Sequence, residues 1–563
     1  MGRTRTALLL LLLAVVGVSM VYATGATEGG GAAAGTPAST VKLSGKVNAY
    51  GWNVPVDTLS FTYYAGQDSP DGVAFRTQVI DKMLLDQFNV KLTKIVYDID
   101  PTERLNLMLA SNEYPEVINC LTDAQVEQWK SLGKAVNLAP YIEKYAPNLV
   151  KRAGAIMKRF VDPKGGTYKL PNLWGILTIT DRAPEIRLDW WTEIGKPKIE
   201  TPDDYYNALK AMVAKHPTND KGEKTYAMAF IKNRGSYEQM NALWGLKKNW
   251  KEDAGHGLTY FLNSPEGLEM TKYVNRFSRE GLLDPDSFVV TLEDWRIKIA
   301  NQRLAGHVGD WWIVLASVDF WPQQMPKYDT NYNRYTYVHV KAPGLTASTS
   351  NPKDASGYYR TIVTDKCADP SKVLMWVNFE SSDIGIKLLG WGVPTNDVAK
   401  YTSEENYGGW IFEGGKWSFD PDRKNLLLHN QLNYDKLTHL GGGEHYIAMY
   451  QGFTEDGTGF WYDQNFNNDV AWKKEMNEEM RPSMFDFSAF YTIALAPDNP
   501  LAVKWQRIQD LVNTQWVEAV LAKTEADCVA KYNALVKAAN DAGLKEVEKF
   551  YSDSYKATLN AWK

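Results

Sequence analysis

The 563-residue chain is poor in cysteine and histidine and has no excess of basic charge. Its 3 cysteines, Cys120, Cys367 and Cys528, are too few and too odd in number for a disulfide framework. Buried free thiols are the default, with one bridge left open. The 62 Lys and Arg against 67 Asp and Glu give a formal net charge of −5. No basic stripe interrupts that balance, which argues against nucleic acid as a partner. None of the 7 His residues stands in H-E-x-x-H, and neither G-x-S-x-G nor G-x-x-x-x-G-K-[ST] occurs. Zinc-hydrolase, nucleophile-elbow and phosphate-loop chemistry therefore have no local signature. Glu444–His445 in GGGEHY reads as a structural loop. DQNFNND (463–469) spaces oxygen ligands two apart, as calcium loops do, but Asn468 replaces the turn glycine and Lys474 the closing carboxylate. No metal and no cofactor is expected.

Long apolar runs are absent except at the start. Arg3 and Arg5 precede ALLLLLLAVVGV (7–18), and small residues follow around Val21 and Ala23. That is the grammar of a signal peptide over 1–23; the run is short for a membrane-spanning helix, which stays the weaker alternative. No cysteine follows it for lipid attachment, so the expectation is an exported chain, periplasmic or extracellular, beginning near Thr24. Residues 24–40 read as a Gly/Ala/Ser/Thr linker.

Aromatic residues are abundant: 20 Trp and 31 Tyr. Rings with an apolar face and a polar tip suit partly wet recognition surfaces. The first third of the chain alternates strand and helix: LSFTYYAG (59–66), a helix over 74–88, NVKLTKIVYD (89–98), a helix over 101–111 behind Pro101, and EVINCL (116–121). This β-α-β-α-β order predicts a parallel sheet with helices on its faces, its ligands beyond the carboxyl ends of the strands. Later helices are expected at 201–215 (Thr201 cap, Pro202 in the first turn), 264–283, 292–305 and 369–382, with a C-terminal pair over about 500–561.

The order of these segments resembles the extracellular solute-binding proteins of ABC importers (family 1, the carbohydrate- and oligosaccharide-binding, lipoprotein-type branch). LMLASNEYPEVI (107–118), YKLPNLWG (168–175), IRLDWWTEIGKPKIETPDDYYNALKAM (186–212), REGLLDPDSF (279–288), LAGHVGDWW (304–312), WGVPTN (391–396) and the tail 518–555 carry the likeness. It implies an α/β, two-lobed periplasmic-binding-protein-like fold of type 2, with a hinge of several crossing segments and a ligand cleft between the lobes. The crossings are expected near 172–178, 335–360 and 386–394. Lobe 1 would hold 41–173 plus 345–388, and lobe 2 would hold 174–344 plus 389–563.

Within such a cleft, aromatic rings would meet the C–H faces of a sugar, and carboxylates, amides or Arg its hydroxyls. Asp310 with Trp311 and Trp312 supplies both kinds at one strand end. Successive strand side chains leave opposite faces, so one tryptophan is expected in the core and the other toward ligand. Trp174 and Trp391 sit at expected crossings. Tyr63, Tyr64 and Gln67 close the first strand, with one tyrosine facing the core. Asp123 follows the third strand and could equally cap a helix. Arg187, in an apolar-aromatic strand, needs a partner, either ligand or an internal carboxylate. The resemblance thus implies a monomeric, non-enzymatic protein that captures an oligosaccharide by lobe closure and delivers it to the membrane permease subunits of an ABC importer. A secreted glycan-degrading enzyme, or a binding protein for a peptide-type solute, is the alternative.

Overall fold

The computed structural model describes residues 38–65, 79–95, 101–162, 164–171, 182–232, 236–310, 316–351, 360–403, 407–424, 479–495 and 499–563. Two sheets organise it. Their ten strands, numbered along the chain, are β1 (Leu59–Ala65), β2 (Val90–Ile95), β3 (Val117–Leu121), β4 (Leu170–Pro171), β5 (Arg182–Arg187), β6 (Gly306–Asp310), β7 (Tyr335–Tyr337), β8 (Thr349–Asn351), β9 (Arg360–Val363) and β10 (Met484–Asp486).

The first sheet has the order β2-β1-β3-β9-β4. β1 pairs in parallel with β2 and β3, as the strand–helix alternation requires, and β9 runs antiparallel between β3 and β4. The helix Pro101–Ser111 begins at the proline that marks it in sequence. The segment before β2 is helical to Phe88, closing in a π turn, and Asn89 then takes a left-handed conformation to enter the strand. One face of the sheet packs on a large core holding Phe61, Tyr63, Val90, Val117 and Leu170. The other carries a smaller cluster of Tyr64, Leu105, Met108, Ile118 and Trp129.

That large core also takes in 391–412, which the lobe boundaries read from sequence place elsewhere. The helix Asp383–Trp391 is apolar along most of its length and ends at Gly392, whose φ of +79° turns the chain where a side chain would be strained. The hairpin Trp410–Glu413/Lys416–Phe419 then folds back, and Trp410 Nε1 donates to Gly392 O at 2.9 Å.

The second sheet has the order β6-β5-β8-β10. β7 pairs with the far half of β5, and β8 meets its first residue. Its core joins Ile186, Tyr205, Leu209, Phe277 and Val308 to the C-terminal helices. The helix Pro202–Lys215 starts on a reciprocal capping box between Thr201 and Asp204. The C-terminal region is three helical stretches rather than a pair. Pro500–Leu511 continues through a π turn to Val520, Glu525–Asp541 restarts on Thr524, and Leu544–Ala561 follows Gly543. Asn275 binds this region to the helix Pro265–Arg279 by donating to Val520 O and Ala522 O at 2.9 and 2.8 Å.

At the other end of the description, the last linker residues are pinned to the first unit. Thr40 N and Oγ1 donate to Asp369 Oδ2, and Ser39 N donates to Tyr145 Oη at 2.9 Å. Asp369 also caps the helix Pro370–Glu380.

Candidate ligand-binding site

Chain order links one edge of each sheet. β3 ends at Leu121, level with Arg360 at the start of β9, and Arg360 lies level with Pro171 at the end of β4. From Pro171 the chain passes to Arg182, the first residue of β5; from Asn351, at the end of β8, it passes back to Arg360. The carboxyl edge of the first sheet is thus joined twice to the edge of the second that carries Arg182, Asp310 and Asn351. In open α/β sheets the carboxyl edge is where ligands bind. The segment 386–394, expected as a crossing, stays within the first core.

On the first-sheet edge, Asp123 opens the helix Asp123–Ser131. The cap is its neighbour Thr122, which exchanges hydrogen bonds with Gln125. Asp123 is left to take two cations: Lys169 Nζ on Oδ1, and Arg360, with Nε 3.2 Å from Oδ1 and Nη2 3.1 Å from Oδ2. Burial works to raise its pKa, but Lys169 and Arg360 outweigh that and hold the carboxyl below its usual range. Both cations lie over the Phe160 ring, at 5.5 and 4.8 Å from its centroid. Sequence reasoning missed Lys169, Arg360 and Phe160. An Arg immediately ahead of the apolar run TIV is the same signal that singled out Arg187.

On the second-sheet edge, β6 ends at Asp310, whose Cα is level with Arg182 of β5. Trp311 and Trp312 follow at once and lie outside the described residues, as do Gln67, Trp174, the Glu444–His445 loop and the 463–469 stretch. Behind Asp310, His307 is buried, its ring centroid 4.6 Å from that of Trp295. Burial holds its pKa down to about 3. Residues two apart on a strand share a face, and a Cβ at Gly309 would stand 1.9 Å from His307 Nε2. The glycine in GHVGDWW makes room for that ring.

The remaining residues singled out in sequence are packed elsewhere. Tyr63 and Tyr64 are 1% and 2% exposed and enter the two cores on opposite faces of β1, so both, not one, face inward. Arg187 finds its partner inside the protein: Nε and Nη2 bond both oxygens of Asp189, at 3.0 and 2.5 Å. Its guanidinium lies between Trp190 and Trp321, 3.9 and 4.4 Å from their ring centroids. It closes β5 five residues from Arg182, about 17 Å from the Asp310 edge at the rise of a strand. Trp391 is 1% exposed and meets Trp410 and Trp417 edge-on. The structure brings Asp123 and Asp310 to the joined edges; it places Arg187 and Trp391 away from them. Cys367 and Cys528 are free and buried. Among the described residues no group of His, Cys, Asp and Glu is set to hold a metal ion, and no helix is long and apolar enough to cross a membrane.

Comparison with known proteins bears on this arrangement. No family model matches the chain. Lipoprotein LipO of Bacillus subtilis is 24% identical over 235 residues, covering 40% of this chain and 45% of LipO. The polygalacturonan/rhamnogalacturonan-binding protein YtcQ of the same organism is 24% identical over 310 residues, covering 54% of this chain and 57% of YtcQ. The chain thus spans about half the length of the curated relatives it matches. Solved structures cover more. The alginate-binding protein AlgQ2, crystallised without calcium ion, superposes with a TM-score of 0.62 at 17% identity over 89% of this chain and 98% of that one. The substrate-binding protein FusA of Streptococcus pneumoniae, in complex with kestose, gives 0.60 at 15% identity over 90% and 100%. The likeness covers about nine-tenths of the chain and shows its fold, the α/β periplasmic-binding-protein fold that these solute-binding proteins share.

Proposed function

We propose that the chain is an exported, monomeric binding protein that captures an oligosaccharide between its two units and delivers it to the permease subunits of an ABC importer, without turnover. The observation that carries this reading is the pair of sheet edges joined by repeated chain passages, with Asp310 at one edge immediately ahead of two tryptophans. The names of YtcQ and FusA support a carbohydrate, and the lipoprotein name of LipO supports export.

The chain passes between the two sheets from Pro171 to Arg182 and from Asn351 to Arg360. The first lobe is then 41–171 with 360–424, and the second 182–351 with 479–563. Ligand binds the open form, and contacts from both lobes stabilise the closed one. Asp310 accepts sugar hydroxyls, one of Trp311 and Trp312 stacks on a ring, and the Asp123 network, with Gln67 and Trp174, lines the opposite edge. Tyr63 and Tyr64 support the first edge from inside its unit, while Arg187 and Trp391 are packed away from both edges.

A melting-temperature screen against neutral and acidic oligosaccharides tests the reading, since ligand at a hundred times its Kd adds about 2.7 kcal/mol of stability. At least one class should raise the melting temperature, and Asp310→Asn with one of Trp311→Ala or Trp312→Ala should weaken its binding. A stacked ring corresponds to about 1–3 kcal/mol by area. No response to any oligosaccharide, or shortened products by mass spectrometry, would overturn the reading.

A further inference from the structure

Arg159 and Trp562 lie on different units and touch. Arg159 sits in the short 3₁₀ turn Lys158–Phe160 that ends the helix Pro147–Met157, and its neighbour Phe160 is buried in the first core. Trp562 follows the helix Leu544–Ala561 and packs, partly buried, against the second core. Its backbone N–H donates to Thr558 O at 3.1 Å, which fixes the ring's direction from the helix end. The Arg159 guanidinium carbon stands 4.3 Å from the Trp562 ring centroid, within the range of a cation–π contact.

The position of this contact matters more than its strength. Phe160, the next residue, is the ring beneath Lys169 and Arg360, the cations of the carboxyl-edge network. Arg159 is thus one residue from the ring under that network, and its own side chain reaches the second unit. The contact exists only while the two units are held together at this point.

We propose that Arg159 and Trp562 form a latch between the two units that favours their closed arrangement and so sets ligand affinity without touching the ligand. This rests on the reading of the chain as a lobe-closing binding protein. A binding-competent state populated to a fraction f has an apparent Kd equal to the intrinsic value divided by f, so losing the latch lowers f and raises Kd. An exposed contact of this kind corresponds to about a two- to fivefold change.

Two measurements test it on the full exported chain: calorimetric Kd for the oligosaccharide that most stabilises the wild type, and the radius of gyration of ligand-free protein from small-angle X-ray scattering. Arg159→Ala and Trp562→Ala should each raise Kd about two- to fivefold and enlarge the ligand-free radius of gyration, with melting temperatures close to wild type. The double variant should be no worse than either single one, and Arg159→Lys should recover part of the loss. Unchanged Kd with unchanged scattering, or two independent additive losses, would overturn the latch. If the wild type binds no oligosaccharide at all, the functional reading fails, and the scattering comparison alone decides the latch: no change on Arg159→Ala removes it.

Discussion

Two buried ionic groups invite comparison. At the far end of β5, Arg187 and Asp189 form a bidentate pair between two tryptophans, with Trp190 N–H and Asn333 Nδ2 also donating to the carboxylate. At the carboxyl edge of the first sheet, Asp123 is shared by Lys169 and Arg360. Both pair a buried Arg with a buried Asp, but the second adds a lysine and the surroundings differ. The first pair is one-to-one, walled by indoles and remote from the joining passages. The second is a trio of net positive charge beside them, with Lys169 still 12% exposed. An Arg in an apolar stretch signals a buried partner in both cases; only its place along the strand says whether a ligand can come near.

Breaking the remote pair should give the largest effect. Asp189→Asn leaves the Arg187 charge buried without its counter-ion and should cost about 3–5 kcal/mol of stability, read by denaturant unfolding. Kd for the bound oligosaccharide should be unchanged; a Kd shift in a folded Asp189→Asn protein would erase the distinction between the two groups. Asp123→Asn should cost less, about 2–3 kcal/mol, because water reaches Lys169, and it should alter Kd as well. Normal affinity in that variant would make the trio purely structural.

Between the two ends of the second sheet, His307 should give a smaller, pH-dependent effect. Its folded pKa, about 3, lies below the ordinary value of 6.5. The neutral form therefore favours the folded state at neutral pH, and stability is lost as pH falls below about 6.5 toward 3. From pH 7 to pH 5 the loss should be about 2 kcal/mol, absent from His307→Asn; equal slopes in the two proteins would show that the ring takes no part. The smallest effect belongs to a surface feature that both units share in kind: Thr201→Ala removes the cap of Pro202–Lys215 and should cost about 1 kcal/mol with no change in Kd, both read in the same unfolding and calorimetry runs.

Much of the fold was legible because its signals are local. Pro101, Thr201 with Pro202, Ser264 and Asp369 each begin the helix expected of them, since capping needs only the next few residues. The parallel pairing of β1 with β2 and β3 follows from the alternation of strand and helix. What escaped depends on distant partners. Trp391 stands between glycines, a pattern that suggests a hinge, yet Gly392 serves to return the chain so that Trp410, 19 positions on, can close over it. The C-terminal helices were read as a pair because the restart at Thr524 is short and the π turn at Val512–Trp516 leaves the helical periodicity almost intact. Asp310 is singled out in sequence by its position beside two indoles. Lys169 and Arg360 were missed because nothing near either residue announces that a third segment, at Asp123, holds them together.

The clasp on Asp369 determines where a mechanical load would enter. Ser39 and Thr40 are fastened to Asp369 and Tyr145, both in the first unit. A pull on the chain ahead of Ser39 would be met first at the start of the helix Pro370–Glu380 and at Tyr145. The start of the described chain is thereby made part of the first unit's own stability: unfolding that frees Asp369 also frees Ser39 and Thr40.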